Sequence, residues 1–352
     1  MRAALHMAML TAAVLAISMP TAAQPALRSY DLAYSLTDTG CRYGVLMKAP
    51  TLTGGTIFWL GTTATWSGKC ANGLVSGSGL LRVVRDGIEI LSFEGSMQDG
   101  VATGAGTYHI VGGMTLAGSF TSGRVADGHA VISTGDGVFY DGIWKDSRPE
   151  GRGTMKRPDG GRYEGEWHNG QREGQGAYSW PSGNRYEGGW QADEQAGYGV
   201  LMFVDGGRFE GNWSHGRLSG HGVQTYSSGT RYEGEFKDGK RSGQGTMPLP
   251  NGDRVQGSWE NDVPNGPGSY IGAGGDRFDG NLRAGRPDGT GVGIAPDGRR
   301  YDGEWHDGLP DGEGTLTQAG APPFTGTWVN GCFSDGDRHA AFGTKPVPCP
   351  GN

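Results

Sequence analysis

The chain lacks what most functional classes require. It has no surplus of positive charge: 30 Lys and Arg stand against 37 Asp and Glu, for a formal net charge of −7. Nucleic-acid binding rests on a basic footprint, and no basic run occurs anywhere. Beyond residue 23 no apolar stretch approaches the roughly 20 residues that cross a bilayer. There is no Walker sequence, no H-E-x-x-H and no G-x-S-x-G elbow. Cysteine is scarce, at four, and no C-x-x-C spacing or accompanying histidine supports a metal site. Hydrophobic residues make up 35%, too few for a fold with one compact core. Glycine, in contrast, accounts for 69 of 352 residues, against an average near 7%. No G-X-Y period accompanies it, which excludes collagen. Ten Trp, 13 Tyr and 11 Phe argue against disorder. A thin or repetitive architecture is what uses both glycine and large rings.

The segment 1–23 reads as an export signal. Arg2 supplies the positive end, Met7 to Met19 the apolar run, and Thr21-Ala22-Ala23 the small residues before cleavage at Gln24. A membrane anchor is the alternative, but the run is short for one. An exported chain with an even cysteine count suggests disulfides. The grouping at opposite ends favours Cys41–Cys70 and Cys332–Cys349 among the three possible connectivities.

Self-similarity settles the architecture. The lead residues Tyr140, Tyr163, Tyr186, Phe209, Tyr232, Val255, Phe278, Tyr301 and Phe324 are spaced by 23 throughout. Two residues on, every copy has glycine. Four residues on, seven have Trp, as in Trp144, Trp167, Trp190, Trp213, Trp259 and Trp305, with Phe236 and Leu282 as exceptions. A Gly-x-Gly pair follows, as at Gly174/Gly176. Three degenerate copies precede, at Trp66, Phe93 and Leu116.

Aromatic-x-Gly-x-Trp has the period of a strand. Tyr163, Gly165 and Trp167 share one face; Arg162, Glu164 and Glu166 share the other. Pairs such as Asp159-Gly160, Ser182-Gly183 and Asp205-Gly206 supply the positive φ of tight turns. The expected fold is therefore all-β: an elongated single-layer antiparallel β-meander of about twelve 23-residue hairpin repeats with terminal caps. At about 4.8 Å per strand it would run roughly 110 Å. The expected organisation is a signal at 1–23, a cap at 24–65, degenerate repeats at 66–139, regular repeats at 140–331 and a cap or tail at 332–352. A glycine between two aromatics leaves room for rings to lie flat on the backbone. On the opposite face Arg162, Arg185, Arg208, Arg231, Arg254, Arg277 and Arg300 recur, most with an acid two residues later. That pattern reads as a solvated, salt-bridged face.

Tyr163-Glu-Gly165-Glu-Trp167-His-Asn-Gly170 followed by Gly174-Gln-Gly176 resembles the MORN repeat (membrane occupation and recognition nexus). The resemblance is strong over 140–331 and weaker over 66–139. It implies a curved β-sheet with aromatics lining a groove, of the kind associated with scaffolding, dimerisation and membrane-lipid contact. The lipid kinases and junctophilin-like proteins that carry such arrays have further domains, and this chain shows neither a kinase domain nor an anchor of that type.

No chemistry-bearing constellation breaks the repeat. His168 and His306 follow the repeat Trp at equivalent positions, with His215 one place further on, and read as turn residues. Asp335, Asp337 and His339 are a weak metal candidate in a polar tail. The aromatic face is the sizeable candidate site: Tyr140, Trp144, Tyr163, Trp167, Tyr186, Trp190, Phe209, Trp213, Tyr232, Phe236, Trp259, Tyr301 and Trp305. Either these rings are the ribbon's own minimal core, or a single layer leaves them exposed for a ligand. The expected function is a non-enzymatic protein-binding or scaffold module of the cell envelope, exported to the periplasm or beyond, with a protein partner or self-association and no cofactor or nucleic acid. A peripheral membrane-lipid or glycan-binding module is the alternative. An enzyme site would have to lie in 24–65 or 332–352.

Overall fold

The computed structural model describes residues 30–38, 40–48, 62–249, 252–343 and 349. The expected signal at 1–23 and much of the 24–65 cap lie outside them. Every regular element among the described residues is a β-strand. Backbone packing divides the chain into two units: one runs to Gly183 and takes in Trp190–Asp193, the other comprises Asn184–Gly189 and everything from Glu194. Within each, the repeat strands pair antiparallel with their sequence neighbours; ahead of them, Thr62–Trp66 and Lys69–Ala71 both pair with Leu74–Arg85, and Arg42 bridges Leu74 in parallel. The all-β hairpin meander is the fold.

One repeat shows how the residues make it. The strand Arg162–His168 sets Gly165 opposite Gly153 on the strand before it and opposite Gly176 on the strand after it. Pairing then skips from Gly165↔Gly176 to Trp167↔Arg172, which is a β-bulge. Gly174 sits in that bulge with φ +70°. The two glycines of each Gly-x-Gly thus differ in purpose: the first bends the strand, and the second leaves space for a ring.

Two kinds of turn alternate. His168 pairs with Gln171 across Asn169-Gly170, whose φ values of 50° and 83° make the two-residue turn that suits strand twist. His215 occupies the same turn one place on from the strand-closing position held by His168 and His306. The Asx-Gly pairs noted in the sequence belong to the other, wider turn. There Arg157 donates to the Gly161 carbonyl at 2.8 Å, and Gly160 alone takes a positive φ.

Both expected disulfides are present, Cys41–Cys70 and Cys332–Cys349. At the N-terminal end Cys41 and Tyr43 join Trp66, Val75, Leu81 and Phe93 in one buried cluster. At the C-terminal end the strand Cys332–Asp335 pairs with Arg338–Ala341.

Candidate functional site

The ring face is built one tyrosine at a time. Tyr163 lies flat over Gly165 and Gly176; a methyl group on Gly176 would come within 2.6 Å of the ring carbons. Its hydroxyl donates to the Glu166 carbonyl at 2.8 Å. Tyr186, Tyr232 and Tyr301 repeat the bond to Gly189, Glu235 and Glu304, and Tyr140 to Ile143. Tyr163 and Tyr301 each then meet two indoles edge-on, while Tyr232 meets Phe236 and Trp259. Trp167, from its own repeat, stands 5.1 Å from Tyr163, and Trp190, from the next, 5.3 Å. Five indole N–H groups donate back to the second glycine of the preceding Gly-x-Gly: Trp167 to Gly153, Trp190 to Gly176, Trp213 to Gly199, Trp259 to Gly245 and Trp305 to Gly291. Edge-to-face pairs of this kind add about 0.5–1.5 kcal/mol beyond the area they bury.

This geometry corrects the expectation of an exposed aromatic groove. Tyr140, Trp144, Tyr163, Trp167, Tyr186, Trp190, Trp213, Tyr232, Phe236, Trp259, Tyr301 and Trp305 are all buried, none more than 7% exposed. The reason is the offset of neighbouring repeats. A ring that a lone hairpin would leave half bare is covered by the Trp of the following repeat, as Tyr163 is by Trp190. Burial pushes the phenols of Tyr186, Tyr232 and Tyr301 up to about 12, and those of Tyr140 and Tyr163 upward as well. The rings are the core of the sheet.

Phe209 is the exception among the thirteen, being only half-buried. It has no hydroxyl to anchor it, and no described ring presses on Gly211. Instead it packs edge-on against Phe203 at 5.2 Å, beside the wide turn. Phe278 also lacks the hydroxyl but keeps its seat over Gly280 and Gly291. The residue equivalent to Phe203 is Gly272 there, so no second ring draws Phe278 outward. Next to Phe203, Val204 is 76% exposed at the turn tip, and Leu201 and Tyr226 are half-buried. This margin keeps part of the ring face in this unit accessible. The period of 23 alone hides it; its sequence signal is the aromatic at 203 beside a lead residue without a hydroxyl.

The charged face is as expected, with one refinement: the pairs run along each strand. Arg162–Glu164, Arg185–Glu187, Arg208–Glu210, Arg231–Glu233, Arg277–Asp279 and Arg300–Asp302 are ion pairs between residues two apart. All are well exposed, so each contributes little. Acids beside the bulge cap the next repeat's tight turn instead: Glu150 accepts the Asn169 N–H at 2.9 Å, and Asp311 that of Asn330 at 3.0 Å. That backbone N–H holds the Glu150 carboxyl below its usual range. His168 and His306 pair with Glu150 and Asp288.

Two repeats carry a different clasp. Asp193 and Asp262 stand where most other tight turns have glycine, with φ 70° and 73°. The Arg172 guanidinium donates to the Asp193 carboxylate at 3.0 Å and carbonyl at 2.6 Å, and lies 4.2 Å over Trp190. Arg241, Asp262 and Trp259 repeat the arrangement. In the tail, Asp335 is engaged by Arg338, and no three His, Cys, Asp or Glu among the described residues converge as a metal site.

A family model described as MORN repeat matches residues 140–162, 163–185, 186–208, 209–231, 232–254, 256–277 and 301–319. No curated protein matches the chain. Among solved structures, the wild-type TCP10 domain of Danio rerio CPAP is 10% identical over 56% of this chain and 96% of its own, with a TM-score of 0.32. The SAS-4 (dCPAP) TCP domain of Drosophila melanogaster, solved with a proline-rich motif of Ana2, is 15% identical over 50% of this chain and 83% of its own, with a TM-score of 0.23. At such scores these likenesses carry no argument.

Proposed function

Starting from the seven MORN repeats between residues 140 and 319, we propose that this chain is a non-enzymatic protein-binding or scaffold module of the cell envelope. The observation that carries the reading is the apolar margin of Phe203, Val204 and Phe209, where the ring row opens to solvent. An exposed Val beside two half-buried Phe is surface that a partner chain covers with gain, at about 25 cal/mol per Å² of apolar area. The two disulfides fit an oxidising compartment, in keeping with export to the periplasm or beyond. A photo-crosslinking residue at Val204, expressed in the source organism, should label one protein species. F203S/F209S should abolish that label while the circular dichroism spectrum is kept. Labelling that is unchanged by F203S/F209S, or equal from a charged-face position such as Lys156, refutes the reading.

A glycan-binding reading has one observation in its favour. Tyr198 is an aromatic on the charged face, 58% exposed, with its hydroxyl held by Glu210 at 2.5 Å. A sugar ring could stack on it. Loss of retention on a glycan column in Y198A would support this, and equal retention would remove it.

A further inference from the structure

The residue facing each lead aromatic across its hairpin carries a side chain in nearly every regular repeat: Met155, Tyr178, Leu201, Gln224, Met247, Tyr270 and Leu316. In the repeat at 278 it is Gly293, buried on the ring face. The same repeat departs again six residues on. Arg299 stands where the others have Gly161, Asn184, Gly207, Thr230, Asp253 and Asp276. Residues 278–300 also lie between two stretches that match the MORN model.

Both departures meet at one place. The space that a side chain at 293 would take is filled by the Trp305 indole and by Phe342, from the C-terminal cap. A methyl group on Gly293 would lie 2.6 Å from the Trp305 indole and 2.9 Å from the Phe342 ring. Phe342 is buried against Tyr301, at 5.9 Å, and Trp305, at 6.0 Å. Arg299 donates to the Ala341 carbonyl at 2.9 Å and is itself aligned by Asp297 at 2.7 Å. The Phe342 amide donates to the Gly331 carbonyl at 3.0 Å. An aromatic side chain, the carbonyl before it and its own amide are thus all recognised by groups of the repeats and the turn at Gly331.

We propose that Gly293, Arg299, Tyr301 and Trp305 form a binding site for an aromatic side chain on an extended segment of a partner polypeptide, and that Phe342 occupies it in cis. The partner's stated chemistry is that of the occupant: a small residue with a free carbonyl, then an aromatic residue with a free amide. The site lies apart from the Phe203–Phe209 margin, so it stands or falls independently of it. A tethered occupant competes at an effective concentration in the millimolar range, which keeps the site closed to weak ligands.

The probe is a capped peptide of residues 337–343, Asp-Arg-His-Ala-Ala-Phe-Gly, titrated by calorimetry and by tryptophan fluorescence. F342A should bind it at least about tenfold more tightly than the wild type, because the ring that competes for the pocket is gone. The peptide with Ala in place of Phe should not bind. R299A in the F342A background should weaken binding by about tenfold or more, as expected for the loss of a charge-assisted hydrogen bond. G293L/F342A, with the pocket filled from its floor, should not bind at all. The pocket walls belong to the repeats, so a loosened cap in F342A leaves the test valid. Equal binding to wild type and F342A, no binding to F342A, or binding retained by G293L/F342A overturns the proposal.

Discussion

Gly176→Ala should be among the most destabilising single-methyl changes in this chain. Glycine in a strand interior ordinarily costs stability, so replacing it by alanine is neutral or favourable by up to about 1 kcal/mol. Here φ at Gly176 is not positive, so the backbone has no objection to a side chain. The objection is the Tyr163 ring, whose carbons lie 2.6 Å from the added methyl. If the ring stays, the overpacking costs about 1–3 kcal/mol. If it leaves, the chain loses the hydroxyl bond to Glu166, worth about 1 kcal/mol, and edge-on contacts with Trp167 and Trp190, worth about 0.5–1.5 kcal/mol each. The first route costs about 1–3 kcal/mol and the second about 2–4 kcal/mol, so the cheaper one sets an expected loss of about 1–3 kcal/mol. Urea unfolding followed by tryptophan fluorescence measures it. The control is Gly160→Ala, where nothing lies within 4 Å and φ is +91°; left-handed backbone there costs about 1–2 kcal/mol. The deciding comparison is G176A with Y163A. Once the ring is gone the methyl has nothing to meet, so the double variant should fall well short of the sum. A G176A loss below about 0.5 kcal/mol, or strict additivity with Y163A, would refute the ring-seat argument.

Other outcomes follow from the same geometry. Arg172→Ala removes both bonds to Asp193 and the stack on Trp190, and should cost about 1–3 kcal/mol in urea melts; Arg172→Lys should recover only part of it, since a point charge cannot keep the fork. The phenols of Tyr186, Tyr232 and Tyr301 sit at about 12 when folded against an ordinary value near 10. Their contribution is therefore complete below pH about 10 and lost as pH rises toward 12. Phenolate absorbance and circular dichroism should change together there, and tyrosines titrating near 10 in a still-folded chain would contradict the burial. Replacing Cys332 and Cys349 by Ser opens a loop of 17 residues, a local loss of roughly 3 kcal/mol by chain entropy. Hydrogen exchange should rise at Arg338–Phe342 and stay unchanged in the repeats before Phe278.

Much of the fold was written in the period. Tyr163, Gly165 and Trp167 at alternate positions, recurring in repeat after repeat, determine strands, a shared ring face and the need for glycine beneath each ring, because these depend on local geometry and on spacing alone. The pairing of cysteines was legible for the same reason, through proximity in the chain. The work of individual glycines was less so. Gly174 and Gly176 look alike in the sequence, and only strand register shows that one bends the backbone and the other receives Tyr163. The tight turns at Asn169-Gly170 were hidden behind the more conspicuous Asp159-Gly160 pairs, since Ala192-Asp193 and Asn261-Asp262 make the same turn without glycine.

Burial is where the sequence stopped. Whether Tyr163 is a ligand platform or core depends on Trp190, which belongs to the following repeat, and the answer required the offset between hairpins. Phe209 and Phe342 depend on still less local facts: the ring that competes for Phe209 sits on a turn, and the seat of Phe342 is a missing side chain at Gly293. Period and residue type determined by themselves that this is a glycine-seated β-repeat array. The tertiary structure alone decided which rings are sealed and which places stay open, because exposure belongs to the packing of distant residues and to no residue on its own.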